Sequence, residues 1–237
     1  MVVIDGLTKA YGRLIALDRV SFSIHRGEVL GLIGPNGAGK TTLFECLAGV
    51  LPRDSGTLVV DGRAVPAGTS SPAIFYLPDA IGPWPAQPVD WALDFVIGFF
   101  GGDPRHKAGV VARLSLAPLL DTRIAGLSKG QRKRVLLALG LLTPHPVLLC
   151  DEPFDGLDLK QTRDMGAALR EHAAAGRTLF LSIHQIGDAA RVCDRFVLLD
   201  HGRVRGTGTV GELAGLLPGR PPAGPPPGLE EIVLGLT

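Results

Sequence analysis

The segment Gly34-Pro-Asn-Gly-Ala-Gly39-Lys40-Thr41 constrains this chain more than any other. It has the spacing G-x-x-x-x-G-K-[ST]. It follows the apolar run Val29 to Ile33 and opens a stretch of helical spacing, Leu43 and Leu47, closed by Gly49. A strand, a glycine-rich loop and a helix in direct succession form an α/β unit whose loop N–H groups point at an anion. Small residues among Gly34, Pro35, Asn36, Gly37, Ala38 and Gly39 let the backbone wrap closely round a triphosphate. Lys40 then offers a cation to the β- and γ-phosphates. The Thr41 hydroxyl is placed to ligate Mg²⁺, with Thr42 beside it. The plainer explanation is a glycine-rich turn with a chance Lys-Thr pair, and the strand and helix in register on either side argue against it. The loop alone leaves a kinase, a GTPase and an ATPase open.

Two further segments narrow the choice. Val147 to Cys150 is an apolar strand that ends in Asp151 and Glu152. Parallel sheets gather ligand sites at the C-terminal ends of their strands, which puts both carboxylates beside the phosphate loop. Asp151 is expected to hold Mg²⁺, and Glu152 to align and polarise a water against the γ-phosphate. Ser128 lies 23 residues before Asp151 and opens a helix through Arg134 to Leu142. It makes a good N-cap, and Gly130 leaves backbone N–H groups open to an anion. The bland alternative for this stretch is an ordinary capped helix with a solvated basic face of Lys129, Arg132, Lys133 and Arg134.

Composition sets the broad class. Lys and Arg number 24 against 23 Asp and Glu, for a net charge of +1, which excludes a polybasic nucleic-acid binder and an acidic solvating chain. Hydrophobic residues reach 46%, enough for a sizeable core. Three widely spaced cysteines, Cys46, Cys150 and Cys193, have no paired metal spacing and suit a reducing compartment. No apolar run reaches the ~18 residues of a membrane span, and the N-terminus has no signal architecture. A cytoplasmic location is expected.

The first third reads as β-rich, with strands at Val2 to Ile4, Ser21 to Ile24, Val29 to Ile33, Thr57 to Val60 and Ile74 to Leu77. A Pro-dense passage from Pro78 to Pro88 precedes a helical middle of about 89–143, where Trp91, Phe95 and Phe99 share one helix face. The last third alternates: strand Val147 to Cys150, helix Leu157 to Ala174, strand Thr178 to Ser182, strand Phe196 to Leu199. The expected fold class is therefore α/β. It has a mainly parallel sheet covered on both faces, an N-terminal antiparallel β part and an inserted helical subdomain. A main domain of 1–217, a Pro/Gly-rich linker of 218–228 and a short C-terminal element of 229–237 complete the organisation.

Taken together and in this order, the residues resemble the ATP-binding subunits of ABC transporters, a family with a P-loop NTPase core. Gly34 to Thr41 is similar to the family's Walker A motif, Leu127-Ser-Lys-Gly-Gln131 to its LSGGQ signature, and Val147 to Glu152 to its Walker B motif. Phe154-Asp-Gly-Leu-Asp158 looks like the D-loop, and His184 like the switch histidine. Tyr11 sits where the family places its adenine-stacking aromatic. The resemblance covers the chain from Met1 to about Leu217. It implies ATP and Mg²⁺ as ligands. Lys40, Ser128, Glu152 and His184 would be the catalytic residues, Gly130 and Gln131 would take part in covering the nucleotide, and Thr41 and Asp151 would hold the metal.

Two positions depart from the family's pattern. Lys129 replaces the first Gly of the signature pair, an added cation near the phosphates. Tyr76-Leu-Pro-Asp79 ends in Asp where most of the family has Gln, and Asp79 is expected to serve as a further Mg²⁺ ligand. An acidic residue there, with the terminal Leu229 to Thr237, resembles subunits of the ABC-2 exporter type.

The resemblance implies an ATPase that drives a separately encoded membrane permease from its cytoplasmic face. The helical insert separates Ser128 from the phosphate loop, so a second copy of the ATPase chain, arranged head to tail, is expected to bring one signature helix over the other chain's ATP. Nucleic acid is not an expected partner. The competing reading is a soluble ATPase of the same family acting in DNA repair or translation.

Overall fold

The computed structural model describes residues 1–79, 81–184, 186–217 and 227–236. Most of the expected linker, 218–226, lies outside the described residues. The chain begins with β1 (Val2–Tyr11), β2 (Leu14–Ile24) and β3 (Val29–Ile33), followed by α1 (Lys40–Ala48). Then come β4 (Ser55–Val60), β5 (Arg63–Ala64) and β6 (Ile74–Leu77). The helical part holds α2 (Val89–Phe100), α3 (His106–Arg113) and α4 (Lys129–Leu141). Alternation resumes with β7 (Val147–Cys150), α5 (Leu159–Ala174), β8 (Thr178–Ile183), α6 (Ile186–Val192) and β9 (Arg195–Asp200). The last elements are β10 (Arg203–Gly208), α7 (Val210–Ala214) and α8 (Leu229–Leu236).

Two sheets result. The larger runs β10-β9-β3-β8-β7-β6, parallel throughout except for the antiparallel edge strand β10. The smaller is antiparallel, in the order β2-β1-β4-β5. Every residue of β3, β7 and β8 is buried, as expected of strands covered on both faces. Their side chains alternate between two cores. Leu30, Leu32, Leu149 and Phe180 join Phe22, Phe44 and Leu58 between the large sheet, α1 and the antiparallel layer. Val29, Ile33, Leu148, Leu179 and Leu181 face the other way, towards Leu93, Leu136, Met165 and Leu169 of the helices. One sheet thus serves two cores and fixes the strand ends against both.

Several expectations needed correction at the edges. β1 and β2 run past the apolar stretches that marked them, through Lys9 and Asp18, because they pair across register shifts at Leu7 and Lys9. α5 begins at Leu159 rather than Leu157, because Asp158 caps it: its carboxylate accepts from the Gln161 N–H at 2.8 Å. β10 escaped sequence reasoning because Arg203-Val-Arg-Gly-Thr-Gly lacks an apolar run, yet it forms a hairpin with β9 through His201 and Gly202. The C-terminal element folds as α8 and buries Leu229, Ile232 and Val233 in the core that also holds Val192 and Leu213. Among the described residues, no helix is long and apolar enough to cross a membrane.

The Trp91, Phe95 and Phe99 face of α2 is not core. Phe99 is 70% exposed and Phe95 37%. The rings stack along the helix, Trp91 on Phe95 at 5.1 Å and Phe95 on Phe99 at 5.6 Å, and Trp84 meets Phe95 edge-on at 4.8 Å. The opposite face, with Ala92, Leu93 and Val96, packs inward.

Candidate active site

The phosphate loop joins the C-terminal end of β3 to α1, and two of its glycines are dictated by close approach. A Cβ on Gly34 would lie 2.1 Å from the Leu199 carbonyl oxygen. One on Gly39, held at φ 103°, would lie 2.6 Å from that of Ala16. The loop closes on itself through the Ala38 N–H, which donates to the Pro35 carbonyl at 3.1 Å. Lys40, almost wholly buried, folds its ammonium back across the loop and donates to the carbonyls of Gly34 at 2.7 Å and Pro35 at 3.1 Å. Burial lowers the Lys40 pKa, and the charges of Glu152 and Asp151 oppose that shift in part.

β7 delivers the carboxylates. The Thr41 hydroxyl donates to Asp151 Oδ2 at 2.9 Å. Asp151 also accepts from the Ser182 hydroxyl at the end of β8 and from Tyr76 Oη at 3.5 Å. Burial, and then the charge of Asp151, raise the pKa of Tyr76, which stays a neutral donor. Glu152 follows in a left-handed conformation, φ 47°, with its N–H donated to Ser182 Oγ at 2.9 Å and its carbonyl accepting from Lys133 Nζ at 2.7 Å. His184 reaches the loop from β8, its Nε2 lying 3.0 Å from Asn36 Oδ1.

Two adjoining cavities result. One of about 360 Å³ is lined by Asn36, Gly37, Gly39, Lys40, Thr41, Thr42 and Glu152, with Tyr11, Ala16, His201 and Gly202 on its other wall. The second, about 290 Å³, lies between Glu152, Phe154, Asp155, Ser182 and His184. Tyr11 is 46% exposed with Lys9 Nζ 5.7 Å from its ring centre, so it is a rim residue rather than a core aromatic. A larger cavity, about 680 Å³, borders Arg177, His145 and His172 beyond the N-terminal ends of β7 and β8. It holds none of the phosphate-loop chemistry. Arg177 there already donates to the carbonyls of Gly140 and Leu141 and to the Thr143 hydroxyl.

The Thr41 hydroxyl and the Asp151 carboxylate, two hard oxygen donors in contact beside a loop shaped by Gly34 and Gly39, fit a divalent cation with a phosphate chain. Asp79 does not join them. Its carboxylate is paired with the ammonium of Lys133 and approaches those of Glu152 and Asp155 within 4.8 Å. The basic start of α4 is not a solvated face either. Lys133 is buried, Lys129 pairs with Asp155 at 2.6 Å, and Arg134 donates to the carbonyls of Leu114 and Ser115. Lys129, expected near phosphate, is held by the loop after Glu152.

Ser128 caps α4 in a reciprocal arrangement with Gln131: the Gln131 N–H donates to Ser128 Oγ at 3.3 Å, and Gln131 Oε1 accepts from the Ser128 N–H at 2.8 Å. Gly130 rests on the same loop, where a Cβ would lie 3.1 Å from the Gly156 carbonyl. None of these residues lines either nucleotide-side cavity. Sequence reasoning missed Ser182, the polar residue closing an apolar strand two positions before His184. It also missed His201 and Gly202, whose only signal was a tight Asp-His-Gly turn.

Residues 17–155 match the ABC transporter family. The Nod factor export ATP-binding protein I of Ralstonia nicotianae is 33% identical over 216 residues, covering 89% of this chain and 67% of the relative, so the chain spans about two thirds of that protein's length. The phosphonates import ATP-binding protein PhnC 1 of Natronomonas pharaonis is 37% identical over 219 residues, covering 86% of this chain and 91% of the relative. A solved structure of the ATP-binding subunit of an ABC transporter superposes with a TM-score of 0.87 at 26% identity, covering 100% of this chain and 99% of the other. With the loop, the Thr41–Asp151 contact and the capped Ser128 helix in this order, the chain belongs to the ABC transporter family, as one of its ATP-binding, ATP-hydrolysing subunits.

Proposed function

We propose that this chain powers a separately encoded membrane permease from the cytoplasmic side, by closing on a second ATPase chain around ATP and reopening on hydrolysis. The observation that carries this reading is the separation of two half-sites within one chain. Lys40, Thr41 and Glu152 line the cavity at the phosphate loop with Asp151 bonded to Thr41, while Ser128 caps the helix whose Gly130 packs against Gly156, and neither lines that cavity. A second copy arranged head to tail supplies the missing half, much as a donor supplied in trans stabilises developing charge in other phosphoryl-transfer sites.

Within the site, Gly34 to Gly39 and Lys40 hold the phosphates, Thr41 and Asp151 hold Mg²⁺, and Tyr11 stacks the base. Bound Mg²⁺ would neutralise charge on the β- and γ-phosphates. Glu152 orients the attacking water and accepts its proton. His184, carried next to Asn36, reaches the γ-phosphate side, and Ser128 with Gly130 and Gln131 covers the nucleotide of the opposing chain.

Transport is proposed to be outward. The Tyr76 to Asp79 segment and a relative named for Nod factor export support that direction. The permease is proposed to dock on the stacked Trp91, Phe95 and Phe99 rings, which supply exposed apolar area with the half-buried Trp84 edge-on beside them. The test is to tag the chain, solubilise native membranes in mild detergent and identify what is retained through a high-salt wash. Recovery of one polytopic membrane protein is the expected result. Recovery of soluble or nucleic-acid-associated partners alone would reassign the ATPase to repair or translation.

A further inference from the structure

Glu152 is a non-glycine residue at φ 47°, a conformation that bulky side chains adopt only when their surroundings hold it. Three hydrogen bonds do so, one through its N–H and two through its carbonyl, which also accepts from the Asp155 N–H at 3.3 Å. Ser182 Oγ accepts its N–H at 2.9 Å, and Lys133 Nζ donates to its carbonyl at 2.7 Å. Ser182 comes from β8, inside the sheet. Lys133 comes from α4, the helix that Ser128 starts.

A lysine as buried as Lys133, 7% exposed at its side chain, needs an anion beside it. Asp79, from the segment after β6, supplies that anion. The carboxylates of Asp79, Glu152 and Asp155 approach one another within 4.8 Å, close enough to repel unless cations intervene. The structure divides two lysines among the three: Lys133 pairs with Asp79 and Lys129 with Asp155. Glu152 alone of the three makes no ion pair among the described residues, so its carboxylate stays available to water.

We infer that Lys133 and Asp79 are a positioning pair for Glu152. Lys133 fixes the carbonyl that sets the left-handed turn and so aims the carboxylate. Asp79 keeps Lys133 in place by neutralising it, and does not ligate the metal. Because Lys133 stands on the helix that Ser128 begins, the aim of Glu152 is tied to the position of the signature helix. The inference rests on the reading of Glu152 as the general base.

Asp79→Asn, Lys133→Gln, Lys133→Arg and the Asp79→Asn/Lys133→Gln double variant, each with its melting temperature recorded, test the pair in the purified chain. Misaiming a base by a fraction of an ångström to an ångström costs about tenfold to a hundredfold in rate. Lys133→Gln is therefore expected to lower kcat about tenfold or more, with the KM for ATP and the half-saturating Mg²⁺ concentration unchanged. Asp79→Asn is expected to do the same, and Lys133→Arg to restore most of the rate. The double variant should be no slower than Lys133→Gln, since the two residues act as one. It also leaves no buried charge unpaired, and so stands in if Asp79→Asn fails to fold.

An Asp79→Asn chain that needs several-fold more Mg²⁺ at unchanged kcat would overturn the inference and return Asp79 to the metal. A Lys133→Gln chain of wild-type kcat would overturn it outright. If Glu152→Gln itself turns over normally, the reading of Glu152 fails and the pair falls with it, a result distinct from either of the others.

Discussion

Thr41 Oγ1 and Asp151 Oδ2 lie 2.9 Å apart although 110 positions separate them in the chain. The contact joins the start of α1 to the end of β7 and creates a pair of oxygen donors at the mouth of the phosphate loop. Asp151→Asn keeps the hydrogen bond from Ser182 but removes the negative charge. It is expected to raise the Mg²⁺ concentration needed for half-maximal hydrolysis by about tenfold or more, as befits loss of a charged hard ligand. Mg²⁺ titration of the initial rate at saturating ATP checks this, and an unchanged requirement would remove Asp151 from the metal.

Glu152→Gln preserves volume and removes the base. ATP binding should stay at wild-type affinity while turnover falls by about 10²–10⁴, the weight of a positioned acid–base group. Single-turnover hydrolysis beside equilibrium nucleotide binding separates the two quantities. The same variant should collect as a closed dimer on gel filtration in MgATP.

Tyr11 is a rim aromatic that lines the cavity beside the phosphate loop. Loss of base stacking is worth about 1–3 kcal/mol, so Tyr11→Ala should weaken ATP binding roughly 5- to 150-fold without abolishing it. Tyr11→Phe should leave affinity near wild type. Comparing ATP with inorganic triphosphate makes the check sharper, because the triphosphate has no base to lose.

Phe99 projects from α2 with most of its ring in water, so Phe99→Ser should leave folding stability within about 0.5 kcal/mol. Recovery of the membrane protein through a high-salt wash should fall sharply. Full recovery would place the docking surface elsewhere.

Burial, and then the charge of Arg177, hold the pKa of His172 down to about 4. His145 shifts in the same direction for the same two causes. In the unfolded chain a histidine titrates near 6.5, so between about pH 6.5 and 4 the unfolded state binds protons that the native state refuses. Stability is therefore level above pH 6.5 and falls as pH drops through that window. Urea midpoints at pH 7.5 and pH 5 should differ, and His172→Gln should lessen the difference. Equal differences in both chains would show that His172 titrates normally when folded.

Much of the site could be read directly because its signals are local. Gly34 to Thr41 carries strand, loop and helix within a dozen residues, and Val147 to Glu152 does the same for a strand and its terminal acids. Ser128 announces a capped helix, and the structure adds Gln131 as its reciprocal partner. What stayed hidden depends on packing between distant segments. Lys133 looked like one of four solvated cations on α4, and only folding brings it 54 positions back to Asp79 and under the carbonyl of Glu152. Ser182 is one hydroxyl in an apolar strand until β8 lies beside β7 in register. β10 has no apolar run of its own and exists because β9 offers it an edge. Asp79 was placed on the metal because its oxygen chemistry suited one. Its pairing with a lysine of α4 was not legible, because the two residues lie 54 positions apart.

The stacked rings along α2 have a consequence for how much of this protein a cell can keep. Trp91, Phe95 and Phe99 stay against water for as long as nothing covers them, and chaperones and proteases sort newly made chains by such surface. On the proposed docking, copies synthesised beyond the number of docking places would be the first to be bound and degraded. On the proposal that a permease covers these rings, its supply, rather than transcription of this gene alone, would set the standing abundance of the subunit.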